Sequence, residues 1–161
     1  MDKLNLYPIS YFGNKYNETN KYLNFIEYQK YDIIAEPYGG IYGFSRAVFY
    51  KCKKNTLFLI NDINTELIKF HNDLKNNDNQ ELQNKIINFC NEHNILTMTD
   101  KEFNIFIKKN NFDIFEFRFL KLYNIGLHKI KHLKEKINNN IINLITYKDF
   151  FNNVIFYNME S

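Results

Sequence analysis

Between residues 31 and 75, two short runs of β-branched and aromatic residues each lead into a segment with helical spacing, and this alternation restricts the chain to few folds. Ile33-Ile34-Ala35 precedes a helix expected from Gly43, and Thr56 to Ile60 precedes one expected over Thr65 to Lys75. Strands alternating with helices at this interval imply a parallel sheet with right-handed crossovers. Ligands in such sheets bind beyond the carboxyl ends of the strands. The informative loops are therefore those after Ala35 and after Ile60. The expected fold class is α/β.

Residues 79 to 139 carry apolar positions at helical spacing, such as Leu82, Ile86, Ile87 and Phe89, then Phe103, Phe106 and Ile107, then Ile130, Leu133 and Ile137. They read as a helical insertion. Strand-like runs return at Ile141 to Thr146 and Val154 to Tyr157, separated by Lys148-Asp149-Phe150-Phe151. Asn-rich patches at Asn76 to Asn79, Asn110-Asn111 and Asn138 to Asn140 read as turns, since Asn tolerates left-handed backbone and caps helices. With 45% hydrophobic residues in 161, one buried core suffices, so residues 1–161 are expected to form a single domain with an insertion at about 79–139.

The abundance of Asn, Lys, Ile, Phe and Tyr reflects an AT-rich coding sequence, of the kind found in viruses and phages. A net charge of +3 neither requires nor opposes a polyanion, so DNA stays open as a partner. Cys52 and Cys90 have no CxxC or Cys/His spacing and are expected to be reduced and buried, in an intracellular protein. No apolar run approaches the roughly 20 residues of a membrane span, and MDKLNLYPIS lacks a signal-peptide pattern, so a cytoplasmic protein without membrane contact is expected.

The segment from Glu36 through Pro37, Tyr38, Gly39, Gly40, Ile41, Tyr42 and Gly43 to Ser45 follows one predicted strand and opens a helix. In that context glycines let backbone approach a bound nucleoside. Asn61-Asp62-Ile63-Asn64 ends the next strand, where a carboxylate can accept hydrogen bonds from ribose hydroxyls. Taken singly, the loop could be an ordinary tight turn and Asp62 a helix N-cap. Together they favour a nucleoside site.

The order Tyr11-Phe12-Gly13-Asn14-Lys15, Glu36-Pro37-Tyr38-Gly39-Gly40, Asn61-Asp62-Ile63-Asn64 resembles the opening of the Dam-type (D12 class) adenine-N6 DNA methyltransferases, whose members begin with similar YxGxK, EPFxG and NDxN motifs. The resemblance is clearest over residues 8 to 75, and Ile145 to Phe150 is similar to the family's later Asp-Phe motif. It implies a partial Rossmann-like methyltransferase fold with S-adenosylmethionine as cofactor. By the same resemblance Lys15 and the Glu36 loop, with Tyr38 and Gly40, would contact the methionine part, Asp62 the ribose, and Asp149 with Phe150 the adenine. Two positions depart from the family pattern. Tyr42 stands at the second glycine of FxGxG, with Gly43 one place later, as in phage-like members. The catalytic DPPY should follow Val154 to Tyr157, where the chain has Asn158-Met159-Glu160-Ser161 and ends. Asn158 could accept a hydrogen bond from a target amine, but Ser161 offers no ring, and base stacking on an aromatic contributes about 1–3 kcal/mol.

Three functions follow as expectations. The first is a degenerate or truncated methyltransferase-like domain that binds S-adenosylmethionine and serves as a scaffold or subunit. The second is an active DNA adenine methyltransferase completed by a second polypeptide. The third is a non-enzymatic nucleic-acid-binding module using Lys129, Lys131, Lys134 and Lys136, which alternate with apolar residues as on a solvated amphipathic helix. An unfinished parallel sheet leaves an exposed strand edge, so a homo-oligomer or a protein partner covering it is expected. His128 and His132 lie four apart without a third ligand, so no metal is assigned.

Overall fold

A computed structural model describes residues 4, 7–11, 14–19, 21–126, 129–139, 142, 144 and 147–159. Three strands, β1 (Ile33–Glu36), β2 (Leu57–Asn61) and β3 (Val154–Tyr157), form a parallel sheet in the order β1-β2-β3. Ile33 pairs with Leu57, and Phe58 with Val154. In chain order the α-helices among the described residues are α1 (Tyr16–Thr19), α2 (Gly43–Val48), α3 (Thr65–Asn76), α4 (Asn79–Glu92), α5 (Asp100–Lys109), α6 (Phe115–Ile125), α7 (Ile130–Asn138) and α8 (Lys148–Asn152). The chain is α/β, and it divides into two compact units.

The first unit comprises Met1–Tyr7, Tyr11–Lys75 and Leu144–Ser161, and contains the sheet. Alternation along each strand sends Ile34, Glu36, Phe58, Ile60, Val154 and Phe156 into the core. Phe150 of α8 and His71 of α3 pack there, with ring centroids 5.4 Å from Phe58 and 5.1 Å from Phe156 respectively. The opposite rows stay more accessible: Ile33 is 56% and Ile155 40% exposed, and Leu57 and Leu59 are half-buried. Successive right-handed crossovers that step in one direction across a sheet lay their helices on one face, which accounts for this asymmetry.

The second strand is shifted by one residue from the expected Thr56 to Ile60. Thr56 instead precedes it, with its hydroxyl donating to the Tyr31 carbonyl at 3.1 Å. The strand expected at Ile141 to Thr146 does not form at its described positions. Residues 141, 143, 145 and 146 lie outside the described residues, and Ile142 and Leu144 are buried but belong to no strand. The Ile142 N–H donates to the buried Gln83 side chain at 3.1 Å rather than to a neighbouring strand.

The second unit, Pro8–Ser10 and Asn76–Asn143, is helical. Two of its helices start where an N-cap side chain accepts the unpaired N–H groups of the first turn. Asp78 accepts from Gln80 and Glu81 ahead of α4, and Thr99 with Glu102 forms a capping box on α5. Leu82, Ile86, Phe103, Phe117, Leu120 and Leu133 fill its core. Of the aromatic segment 112–123, Phe115, Phe117, Phe119 and Tyr123 are buried, so these rings are core and not base-stacking platforms. Cys52 and Cys90 are free and buried, which pushes their thiols up to about 11 and about 12. No helix among the described residues is long and apolar enough to cross a membrane.

Candidate functional site

Glu36 ends β1 and turns its carboxylate beneath the following loop, where it is 8% exposed. It accepts hydrogen bonds from the Phe44 N–H (3.2 Å), the Ser45 N–H (3.0 Å) and the Ser45 hydroxyl (2.6 Å). The two N–H groups are orphan donors of the first turn of α2, so Glu36 fixes the angle at which loop becomes helix. Burial raises its pKa above the ordinary carboxylate value, and the Ser45 hydrogen bonds oppose that shift.

The loop is tied to the end of β2 at two consecutive glycines. The Gly39 N–H donates to the Asn61 carbonyl and the Gly40 N–H to Asp62 Oδ2, both at 2.8 Å. A side chain at Gly39 would strike Ile60, and Gly40 has φ +51°, the left-handed region glycine adopts without penalty. Gly43 serves a different purpose. A Cβ there would come within 2.7 Å of the backbone nitrogens of Lys15 and Tyr16, so its bare Cα lets the Asn14–Tyr16 segment cross the start of α2. Tyr42 also lies in the left-handed region, at φ +41°, yet it is fully buried. Its ring sits edge-on to Tyr7 and His71 and stacks on Phe150 at 5.4 Å. The Tyr42 side chain therefore occupies the core, while the Tyr11 ring lies against Gly40.

Asp62 is half-buried and uses its second oxygen, Oδ1, to accept from the Asn64 N–H at 2.9 Å. Asp62 is not the N-cap of α3. Asn64 is, accepting from the Leu67 N–H at 3.2 Å, while its amide nitrogen donates to the Tyr11 hydroxyl at 3.2 Å. Tyr38 stands 76% exposed beside the glycines. Lys15 is exposed, with its amine 3.0 Å from Glu18. Phe12 and Gly13 lie outside the described residues.

Asn158 takes a different role from the expected one. Its amide nitrogen donates to the carbonyls of Asp62 (2.8 Å) and Ile63 (3.0 Å), and its oxygen accepts from the Thr65 hydroxyl at 2.9 Å. The acceptor expected for a target amine is thus engaged in holding the β2–α3 connection. Asn61 acts similarly, accepting from the Met159 N–H and donating to the Met159 carbonyl. Side-chain amides here continue the β2–β3 pairing past the strand ends.

The structure does not gather Asp149 and Phe150 with these residues. Helix α8 runs directly into β3, which puts both at the amino edge of the sheet, opposite the Glu36 loop. Phe150 is fully buried against Tyr42, Phe49 and Phe58. Asp149 lines a groove of about 460 Å³ with Lys53, Lys54 and Asn152.

The four lysines of the α7 region do not form one uniform face either. Lys129, Lys131 and Lys134 are exposed. Lys136 is half-buried, with its amine 5.6 Å over the Tyr123 ring and donating to the Pro8 carbonyl at 2.9 Å, and burial lowers its pKa. His132 pairs with Glu135, and His128 lies outside the described residues.

Two buried residues under the loop carried no motif. Arg46 donates from Nε to the Leu4 carbonyl (3.0 Å) and the Tyr147 hydroxyl (2.9 Å), and its guanidinium lies over the rings of Tyr7 and Tyr16. His71 contacts the Gly40 carbonyl through Nε2 at 2.7 Å and the Tyr7 hydroxyl through Nδ1 at 2.6 Å. Burial pushes its pKa down to about 3. The only signal in the sequence was a titratable residue on the apolar face of α3, between Phe70 and Leu74. No protein-family model, no curated protein and no solved structure gives a significant match to this chain.

Proposed function

We propose that the chain is a methyltransferase-like domain of the Dam type that holds S-adenosylmethionine at the carboxyl edge of its sheet and serves as a scaffold or subunit without transferring the methyl group itself. The observation that carries this reading is the convergence of three motifs far apart in sequence. Tyr11 meets Asn64, Asn14 and Lys15 cross Gly43, and Gly40 meets Asp62, all beyond the ends of β1 and β2. A nucleoside is the ligand that such an edge accommodates.

The residues fit part of the cofactor. Each Asp62 oxygen accepts one N–H, and a carboxylate oxygen has a second lone pair free for a ribose hydroxyl. The outer side of the Glu36 loop, with Tyr38 and Lys15 near it, would receive the methionine end. Asp149 and Phe150 are left out, so the adenine would be held otherwise. S-adenosylmethionine, when bound, supplies an electrophilic methyl group. Capture of a flipped base requires a free acceptor and a stacking ring. The Asn158 side chain is tied on both sides, to the carbonyls of Asp62 and Ile63 and to the Thr65 hydroxyl, which fixes it on the β2–α3 connection, and Ser161 stands where the family has its aromatic residue.

Calorimetric titration with S-adenosylmethionine and S-adenosylhomocysteine tests the binding half of the proposal. Heat of binding that disappears in Asp62→Ala supports it, and absence of binding to the wild type overturns it. Methyl transfer to DNA by the isolated chain would overturn the non-catalytic half. The exposed apolar row containing Ile33 and Ile155 favours a second reading, an active enzyme completed by another polypeptide. That reading requires a co-purifying partner whose addition restores methyl transfer.

A further inference from the structure

The left-handed backbone at Gly40 is held from both sides. Its N–H is bound by Asp62 and its carbonyl by His71, and these two peptide groups flank the φ and ψ of this one residue. A carbonyl can only accept, so His71 Nε2 must carry the proton. The ring is fully buried, and the groups facing it are Tyr7, Tyr42, Phe70, Phe156 and the Gly40 carbonyl. The Arg46 guanidinium lies nearby, and its charge also disfavours an imidazolium. A neutral ring protonated at Nε2 leaves Nδ1 bare, and Tyr7 supplies the matching donor at 2.6 Å. A hydroxyl can donate or accept, so it is the Gly40 carbonyl that fixes the tautomer, and Tyr7 completes it by donating to Nδ1.

We infer that His71, a neutral Nε2–H imidazole held between the Gly40 carbonyl and the Tyr7 hydroxyl, is the positioning residue of the glycine loop: it fixes Gly40 in the left-handed conformation and so sets the aim of the Asp62 carboxylate. Its effect on cofactor binding rests on the reading of this loop as the nucleoside site. The positioning itself can be measured without a ligand.

The test combines nitrogen NMR of the His71 ring with hydrogen exchange of the Gly40 amide in the full chain, comparing wild type with His71→Leu, His71→Gln and Tyr7→Phe. Glutamine places an amide donor close to where Nε2 stands. The wild type should show the Nε2–H tautomer. In His71→Leu, exchange at Gly40 should accelerate about tenfold, the equivalent of one lost hydrogen bond, while amides in the middle of α3 keep their protection. His71→Gln should restore most of that protection, which a purely space-filling role would not allow. Tyr7→Phe should leave the buried Nδ1 without its donor and partly release Gly40, and it decides the matter if His71→Leu fails to fold. An Nδ1–H tautomer, or unchanged Gly40 exchange in Tyr7→Phe and His71→Leu, overturns the inference. S-adenosylmethionine affinity should follow Gly40 protection across the series. Wild type that binds no S-adenosylmethionine while Gly40 exchange follows the pattern would remove the nucleoside reading and leave the positioning intact.

Discussion

The buried residues His71, Glu36 and Tyr42 set the properties of the glycine loop. The pKa of His71 falls from an unfolded value near 6.5 to about 3 in the folded protein, chiefly through desolvation. Between those values the unfolded chain binds one more proton at this site. The neutral ring's contribution is therefore fully present above about pH 6.5 and is lost as pH falls toward 3. Urea denaturation from about pH 7 to about pH 4.5 should show stability declining with a slope approaching 1.4 kcal/mol per pH unit from this residue. His71→Gln should flatten that slope, and an unchanged slope would contradict the assignment. Glu36 acts in the opposite sense. Its raised pKa gives a contribution present below its unfolded value and lost as pH rises through the folded one, so the comparison with His71→Gln is what isolates the histidine. Tyr42 combines left-handed strain of about 1–2 kcal/mol with a fully buried ring whose removal costs about 3–5 kcal/mol. Tyr42→Gly relieves the first and loses the second, so a net destabilisation of about 1–4 kcal/mol is expected in chemical denaturation. Stabilisation would mean that the ring contributes little. The sequence marked Tyr42 only as a missing glycine, because αL geometry at a non-glycine residue and a ring turned inward depend on tertiary contacts that no local pattern encodes.

The elements of the first unit were largely legible as a pattern. Ile33 to Ala35 and Val154 to Tyr157 are short β-branched and aromatic runs, as strands are, and Thr65 to Lys75 has the apolar spacing of a helix closed by a basic last turn. Of the strand expected over residues 141–146, the described positions Ile142 and Leu144 are buried outside any strand, since a short apolar run does not distinguish strand from buried irregular chain. Gln83, far away in sequence, supplies the hydrogen bond that made pairing unnecessary at Ile142. The Asp-Phe pair at 149–150 was readable as a motif, but its position was not. Its place at the amino edge follows from α8 running straight into β3. Element contacts also explain the third glycine of the loop. Gly43→Ala would push a methyl group into the backbone of Lys15 and Tyr16, so a loss of about 1–3 kcal/mol is expected, with faster amide exchange in α1 and α2. Full retention of protection in both helices would show that the crossing can relax.

For the whole molecule, the decisive feature is a parallel sheet with one face buried and the other largely apolar and accessible. All-parallel sheets are normally covered on both faces. Placing a charge at Ile155, which is 40% exposed, should change stability by no more than about 0.5 kcal/mol while reducing self-association in sedimentation velocity. A loss of several kcal/mol would mean that this face is buried in the folded protein. The α/β class and the location of the candidate site could be read from the strand–helix alternation, because the rule relating strand ends to ligands is topological. The hydrogen-bonded closure of that site by Asn61, Asn64 and Asn158 could not, since amide side chains carry no positional signal until the strands that they bridge are in place.

The central claim is that the loop at Gly39-Gly40 and the Asp62 carboxylate together form a working cofactor site. Calorimetric titration of the purified chain with S-adenosylmethionine, run beside Asp62→Ala, tests it most directly. The account predicts saturable binding by the wild type that the substitution abolishes; a wild type that releases no heat with S-adenosylmethionine or S-adenosylhomocysteine would contradict it.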